Sequence, residues 1–152
     1  MTEPRARLRE LGLELPEVVA PVAAYLPAVQ TGNYVYVSGQ VPMVDGQLAA
    51  TGKVGDGVSP ENARQLARTC ALNALAAIDA LVGLERVVKV VKLVGFVASA
   101  PGFNGQPAVV NGASELFGAV FGEAGHHARS AVGVAELPLG APVEVEVIVE
   151  VS

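Results

Sequence analysis

Apolar and polar positions alternate most regularly at the C-terminal end of the chain. Residues 143–151 read Val-Glu-Val-Glu-Val-Ile-Val-Glu-Val. A period of two is that of a β-strand, so Val143, Val145, Val147, Val149 and Val151 share a core side, and Glu144, Glu146, Ile148 and Glu150 the other. A second strand precedes it, opened by Arg129 and running through Ser-Ala-Val-Gly-Val-Ala, with the turn Pro138-Leu139-Gly140-Ala141 between the two. In that strand Val132 and Val134 suit the core. This puts Arg129, Ala131, Gly133 and Ala135 on the face shared with Glu144, where small residues leave room for a small anion beside one guanidinium and one carboxylate.

Upstream, residues 22–30 and 34–41 read as two strands around the hairpin signal Thr31-Gly32-Asn33. Val35, Val37 and Val41 point one way, and Tyr34, Tyr36, Ser38 and Gln40 the other. Residues 43–53, with Asp45-Gly46 and Thr51-Gly52, predict a second hairpin or an irregular edge. The clearest helix opens at Ser59 as N-cap, with Pro60 at its first position and Glu61 near the positive end of the dipole. Ala63, Leu66, Ala67, Cys70, Ala74, Ile78 and Leu81 then recur at helical spacing until Gly83. Residues 86–98 carry valine on both faces, as a central strand does. A Gly/Pro-rich loop over 99–107 leads to a second helix over 108–121. Residues 4–11 predict a short helix stopped by Gly12, with Arg5 and Arg9 one turn apart on a solvated face. The order is that of an α+β domain, two helices on one face of a mixed sheet, whose other face needs a neighbouring subunit.

Composition sharpens this picture. The 152 residues suit one domain spanning 21–152, preceded by an N-terminal extension over 1–20. Charged residues make up 16% and hydrophobic ones 51%; the ordinary charged share is about 25%. A chain this poor in charge is expected to bury surface in an oligomer. The net charge of −5 argues against a nucleic-acid partner, which is held by clustered Lys and Arg. Lys89 and Lys92 interrupt the most apolar run before it reaches the ~20 residues of a membrane span. The start, Met-Thr-Glu-Pro-Arg-Ala-Arg, lacks the apolar stretch of a signal peptide, so the expected location is the cytoplasm. The single cysteine, Cys70, excludes an intrachain disulfide and reads as a buried structural thiol. His126 and His127 are adjacent on an extended segment and point to opposite sides, which does not make a metal site. With no Gly-rich phosphate loop, Ser-His-Asp order or Cys-x-x-Cys pair, no cofactor is expected.

Three segments together carry a resemblance. Arg129-Ser130 followed by Val-Gly-Val-Ala-Glu-Leu-Pro and Val143-Glu144-Val145-Glu146, the upstream Tyr36-Val37-Ser38-Gly39-Gln40-Val41-Pro42, and Asn111 occur in the order of the reactive-intermediate deaminase family, also called the YjgF or L-PSP endoribonuclease family. The chain resembles that family from about Tyr25 to its end. The resemblance implies a chorismate-mutase-like fold assembled as a homotrimer, with active sites in the clefts between subunits. The implied chemistry is hydrolysis of enamines and imines such as 2-aminoacrylate to 2-keto acids and ammonia. On the matching positions Arg129 would hold a substrate carboxylate and Glu144 would activate water, provided burial raises its pKa. Ser38, Gly39, Asn111 and Ser130 would line the cleft, and Tyr25 would supply an aromatic wall from the adjacent subunit. Ala131 stands where the family often has cysteine, and the 99–107 loop is longer than usual, which places the chain in a divergent branch. Two other functions are compatible with the resemblance: a trimeric binding protein for small carboxylates, and the ribonuclease or translation inhibitor of the older family name, against which the acidic composition argues.

Overall fold

The computed structural model describes residues 3–21 and 23–152. In chain order its elements are helix α1 (Pro4–Glu10), strands β1 (Ala28–Thr31) and β2 (Tyr34–Gln40), and the short pairs β3 (Met43–Val44) with β4 (Gln47–Leu48) and β5 (Lys53–Val54) with β6 (Gly57–Val58). Helix α2 (Pro60–Val82), strand β7 (Val87–Ala98), helix α3 (Gln106–Phe121) and strands β8 (Ala128–Val134) and β9 (Val143–Val151) follow. The described residues thus form a mixed α+β fold of three α-helices and a five-stranded sheet ordered β1-β2-β9-β7-β8. Neighbouring strands are antiparallel except β7 and β8, which run parallel because α3 carries the chain back as a crossover.

Local chemistry explains the elements. Ser59 Oγ accepts a hydrogen bond from the Asn62 N–H at 3.1 Å and caps α2, which runs to Gly83 as its stripe predicts. The stripe packs its alanines and Ile78 onto the valine side of the sheet, where Val90, Leu93, Val97, Val143, Val145 and Val149 have no exposed surface. Each such side chain contributes roughly 1.5–3 kcal/mol by leaving water. Cys70 is fully buried in the same layer, and loss of hydration pushes its thiol pKa well up, so it stays an unreactive SH. The predicted second hairpin is present as β3 and β4, turning at Asp45-Gly46. In α1, Leu8 is the buried anchor, while Arg5 pairs with Asp79 of α2 and, at 2.7 Å, with Glu85. Arg5 and Arg9 are both exposed, as the predicted solvated face requires, and Arg5 carries its ion pairs at that surface. Among the described residues no helix is long and apolar enough to cross a membrane.

Three expectations are corrected. The strand expected over residues 22–30 begins only at Ala28; Val22 lies outside the described residues, and Pro27, without an N–H, cannot donate to the ladder and only accepts, from the Ser38 N–H at 2.9 Å. In β2 the alternation breaks after Val37: Val37 pairs with Val147 and Gln40 with Val145, one residue more than on β9. This β-bulge at Ser38-Gly39 turns Gln40 inward, to 5% exposure, instead of leaving it beside Tyr34 and Tyr36.

The third correction concerns β8. Arg129, Ala131 and Gly133 pair with Leu93, Gly95 and Val97 of β7, which pair in turn with Val147, Val145 and Val143. Arg129 therefore lies on the helix-covered face, whereas Glu144, level with Phe96 and Val132, lies on the other. The small residues of β8 fit beneath α3 and its entry loop: a Cβ on Gly133 would stand 2.8 Å from Gln106 Nε2 and 3.0 Å from Ser99 Oγ. Val132 is instead 42% exposed on the face without helices, together with Val29, Tyr34 and Tyr36. Valine marked the wrong side of β8 because both faces of this sheet carry apolar residues.

Candidate functional site

On the helix-covered face Arg129 opens from the edge strand β8 toward α3. Its Nη1 donates to Asn111 Oδ1 at 2.8 Å and to Ser114 Oγ at 3.1 Å, and Nη2 donates to the Pro107 carbonyl at 3.1 Å. Asn111 and Ser114 are three residues apart on α3 and so share the face that meets the strand. These contacts use three of the five guanidinium N–H groups. The other two, on Nε and Nη2, have no partner among the described residues and belong to the adjacent nitrogens of one edge, a fork shaped for a carboxylate.

On the opposite face the β2 bulge brings Gly39 against Glu144. A Cβ at Gly39 would lie 2.5 Å from Glu144 Oε1 and 2.9 Å from its Cδ. Gly39, Glu144, Tyr25, Pro27, Gln40 and Leu139 line one pocket. Burial raises the Glu144 pKa above the ordinary carboxyl value, and the neighbouring charge of Glu146 adds to the shift. Gln40 Nε2 donates to the Ser38 carbonyl at 3.1 Å, while its buried Oε1 has no partner among the described residues.

The predicted site residues thus fall into two groups within one chain. Arg129 and Asn111 meet under α3; Glu144, Gly39 and Tyr25 meet behind the bulge, and Tyr25 shares a pocket with Glu144 of its own chain. Ser38 stands at the bulge and donates its hydroxyl to the Leu26 carbonyl. Ser130 is exposed on the helix-free face, apart from Asn111. Sequence reasoning missed Ser114 and His127 beside Arg129. Their spacing held the signal: Ser114 follows Asn111 by three on a helix, and His127 precedes Arg129 by two on the extended segment that leads into β8. Among the described residues no group of three His, Cys, Asp or Glu side chains could hold a metal ion.

Two measurements test the Glu144 environment. A carboxyl whose pKa is raised on folding contributes stability below its unfolded pKa of about 4.3 and loses that contribution as pH rises through the folded value. Glu144→Gln is therefore expected to melt above wild type at about pH 7 and level with it near pH 4, read by thermal denaturation. Gly39→Ala displaces a carboxylate at the end of a flexible side chain, so stability should change by less than about 1 kcal/mol. Any activity of the pocket that uses Glu144 should nevertheless fall at least ~10-fold, because its carboxyl no longer sits in place.

Comparison with known proteins shows the family. Residues 16–151 match the family described as endoribonuclease L-PSP. Protein TCP17 of Trypanosoma cruzi is 46% identical over 149 residues, covering 97% of this chain and 93% of that protein. A 2-iminobutanoate/2-iminopropanoate deaminase of Dermatophagoides farinae is 34% identical over 140 residues, 92% of this chain and 95% of the deaminase. A crystal structure of an Agrobacterium tumefaciens protein of unknown function superposes with a TM-score of 0.92 at 47% identity, over 98% of this chain and 92% of the other. On the match over residues 16–151 and the identity to both relatives, the chain belongs to the endoribonuclease L-PSP family, the family its three motifs resemble.

Proposed function

We propose that the chain is a hydrolase of reactive enamines and imines of the 2-aminoacrylate kind, acting as a homotrimer of chorismate-mutase-like subunits at clefts between subunits. The observation that carries this reading is the separation of two complementary half-sites by the sheet. Arg129 offers a carboxylate-binding edge on one face, and Glu144, with its raised pKa, lies in a pocket on the other. One chain cannot direct both at one small molecule; two chains can. The identity to a named iminobutanoate deaminase supports the same chemistry.

In this mechanism the Arg129 fork holds the substrate carboxylate in one plane and so orients the imine carbon. Glu144 of the adjoining subunit takes a proton from the attacking water and returns it to the departing nitrogen, for which a pKa lifted toward neutrality is suited. Tyr25 and Gly39 shape the wall beside it. Ammonia and a 2-keto acid leave, and no cofactor is required.

The test couples the purified protein to an oxidase that releases imines and follows trapping of the imine by semicarbazide. Wild type should suppress trapping, and Arg129→Ala and Glu144→Gln should each fail. When the two variants are unfolded together and reassembled, about a quarter of the clefts combine an intact Arg129 with an intact Glu144 from different subunits, and activity should return to that extent. Full suppression by either variant alone, or no recovery on mixing, would sink the shared-site reading. If wild type binds 2-keto acids yet leaves trapping unchanged, the cleft is that of a carboxylate-binding protein, a reading that Ala131 in place of a thiol favours. A ribonuclease role has less support. Arg5, Arg64 and Lys53 are engaged by carboxylates and Arg86 by the Ser152 carbonyl, on a chain of net charge −5.

A further inference from the structure

Behind Arg129 lies a polar chain that the proposed chemistry does not use directly. His127 Nδ1 stands 2.6 Å from the Gly125 carbonyl, and Nε2 stands 2.9 Å from Ser114 Oγ. A carbonyl oxygen only accepts, so Nδ1 carries the proton and the neutral ring presents a lone pair at Nε2. Ser114 must then donate its hydroxyl proton to Nε2, which leaves its oxygen lone pairs for the Arg129 Nη1–H at 3.1 Å. Every donor faces an acceptor in one direction: Arg129 to Ser114, Ser114 to His127, His127 to Gly125. The ring is fixed sideways by Phe117, whose centroid lies 6.2 Å away at an interplanar angle of 81°.

From this geometry we infer that His127 is a positioning residue for Arg129, setting the orientation of the guanidinium through the Ser114 hydroxyl. Ser114 alone could rotate its hydroxyl to several acceptors. With Nε2 as acceptor, its lone pairs point at Arg129, and the Nε/Nη2 edge is held open to the cleft.

Protonation reverses the chain. An imidazolium has N–H on both nitrogens, so Nε2 would donate to Ser114, whose oxygen would then face two donors while its own proton lost its acceptor. The charged groups acting on the ring are Arg129 and His126 on its own segment and Lys89 on β7, and Ser114 and Phe117 face it from α3. Burial foremost, then these neighbouring charges, hold the ring below the ordinary histidine pKa, against the Gly125 carbonyl, which favours the cation. The relay therefore stands at neutral pH and fails only in acid.

The inference rests on Arg129 as carboxylate anchor, and its experiment separates the two. Pyruvate affinity and imine turnover are measured for wild type, His127→Phe, His127→Gln and Ser114→Ala between about pH 5 and 8. His127→Phe keeps the ring shape without an acceptor and should weaken pyruvate binding about tenfold. His127→Gln keeps an acceptor near Ser114 and should bind pyruvate within about threefold of wild type while losing the acid limb of the pyruvate-affinity profile, a limb that Glu144, as the base for turnover, does not produce. Wild-type affinity in His127→Phe, or an acid limb of pyruvate affinity that persists in His127→Gln, overturns the inference. A readout independent of turnover is the 15N spectrum of Arg129. Separate Nη signals in wild type that average in His127→Phe sustain the relay even if no imine is hydrolysed; signals averaged in both proteins overturn it.

Discussion

Arg129→Ala should reduce kcat/KM for imine hydrolysis by about 10²–10³, the effect of removing a charged, forked partner from a substrate carboxylate. The loss should not be one of folding. Arg129 is half-buried at a sheet edge, and its partners Asn111, Ser114 and the Pro107 carbonyl lie where water can replace the guanidinium. Circular dichroism and oligomer size should match wild type while 2-keto acid binding disappears. Arg129→Lys is the informative companion. It restores the charge but not the planar fork, and a single ammonium cannot serve Asn111, Ser114 and Pro107 while also gripping a carboxylate. It should remain within about tenfold of the alanine variant. A lysine variant close to wild type would mean that charge alone is read at this position.

Gly112→Ala should be the most destabilising single methyl in the chain. A Cβ at Gly112 would lie 2.0 Å from the Arg64 carbonyl oxygen and 2.9 Å from its carbon. Both are backbone atoms of α2, so no side-chain rotation relieves the overlap, and the two helices must separate over a tightly packed layer. Overpacking of this kind costs about 3 kcal/mol or more, which corresponds to a fall of roughly 6–12 °C in Tm for a domain of this size. Gly118→Ala is the control on the same helix: nothing lies within 4 Å of its Cβ, and replacing a mid-helix glycine should stabilise by about 0.5–1 kcal/mol. Opposite signs for the same chemical change would show that α3 is held at its distance from α2 by one glycine. An undiminished Tm in Gly112→Ala would mean that the helices separate at little cost.

Much of this architecture was legible because its signals are local. The cap at Ser59, the small-residue stripe of α2 and the alternating valines of β9 each need only their own neighbourhood to be read. The faces of β8 were not legible. A strand at a sheet edge beneath a close helix carries small residues on the covered side, and an apolar residue such as Val132 on the open side mimics a core position. The β2 bulge was equally hidden, since Ser38-Gly39 continues the alternation without any turn signal. The same error placed Arg129 and Glu144 on one face. The motifs identified both residues as a pair and the resemblance implied clefts between subunits, but only strand register separates Arg129 from Glu144 across the sheet. His127 was read for metal chemistry and set aside, although its spacing of two from Arg129 on an extended segment put both side chains toward Ser114.

The extra residue in β2 makes chain length itself a chemical variable. Removing either Ser38 or Gly39 would leave a single residue opposite Glu146 and keep Gln40 opposite Val145 on the core side, but the bulge that sets Gly39 against Glu144 would be gone. Such a protein would keep every valine of its core and nearly all of its sequence, and it would have lost the pocket wall beside Glu144. Among related chains, a one-residue gap at this point therefore bears more on the proposed hydrolysis than many substitutions elsewhere.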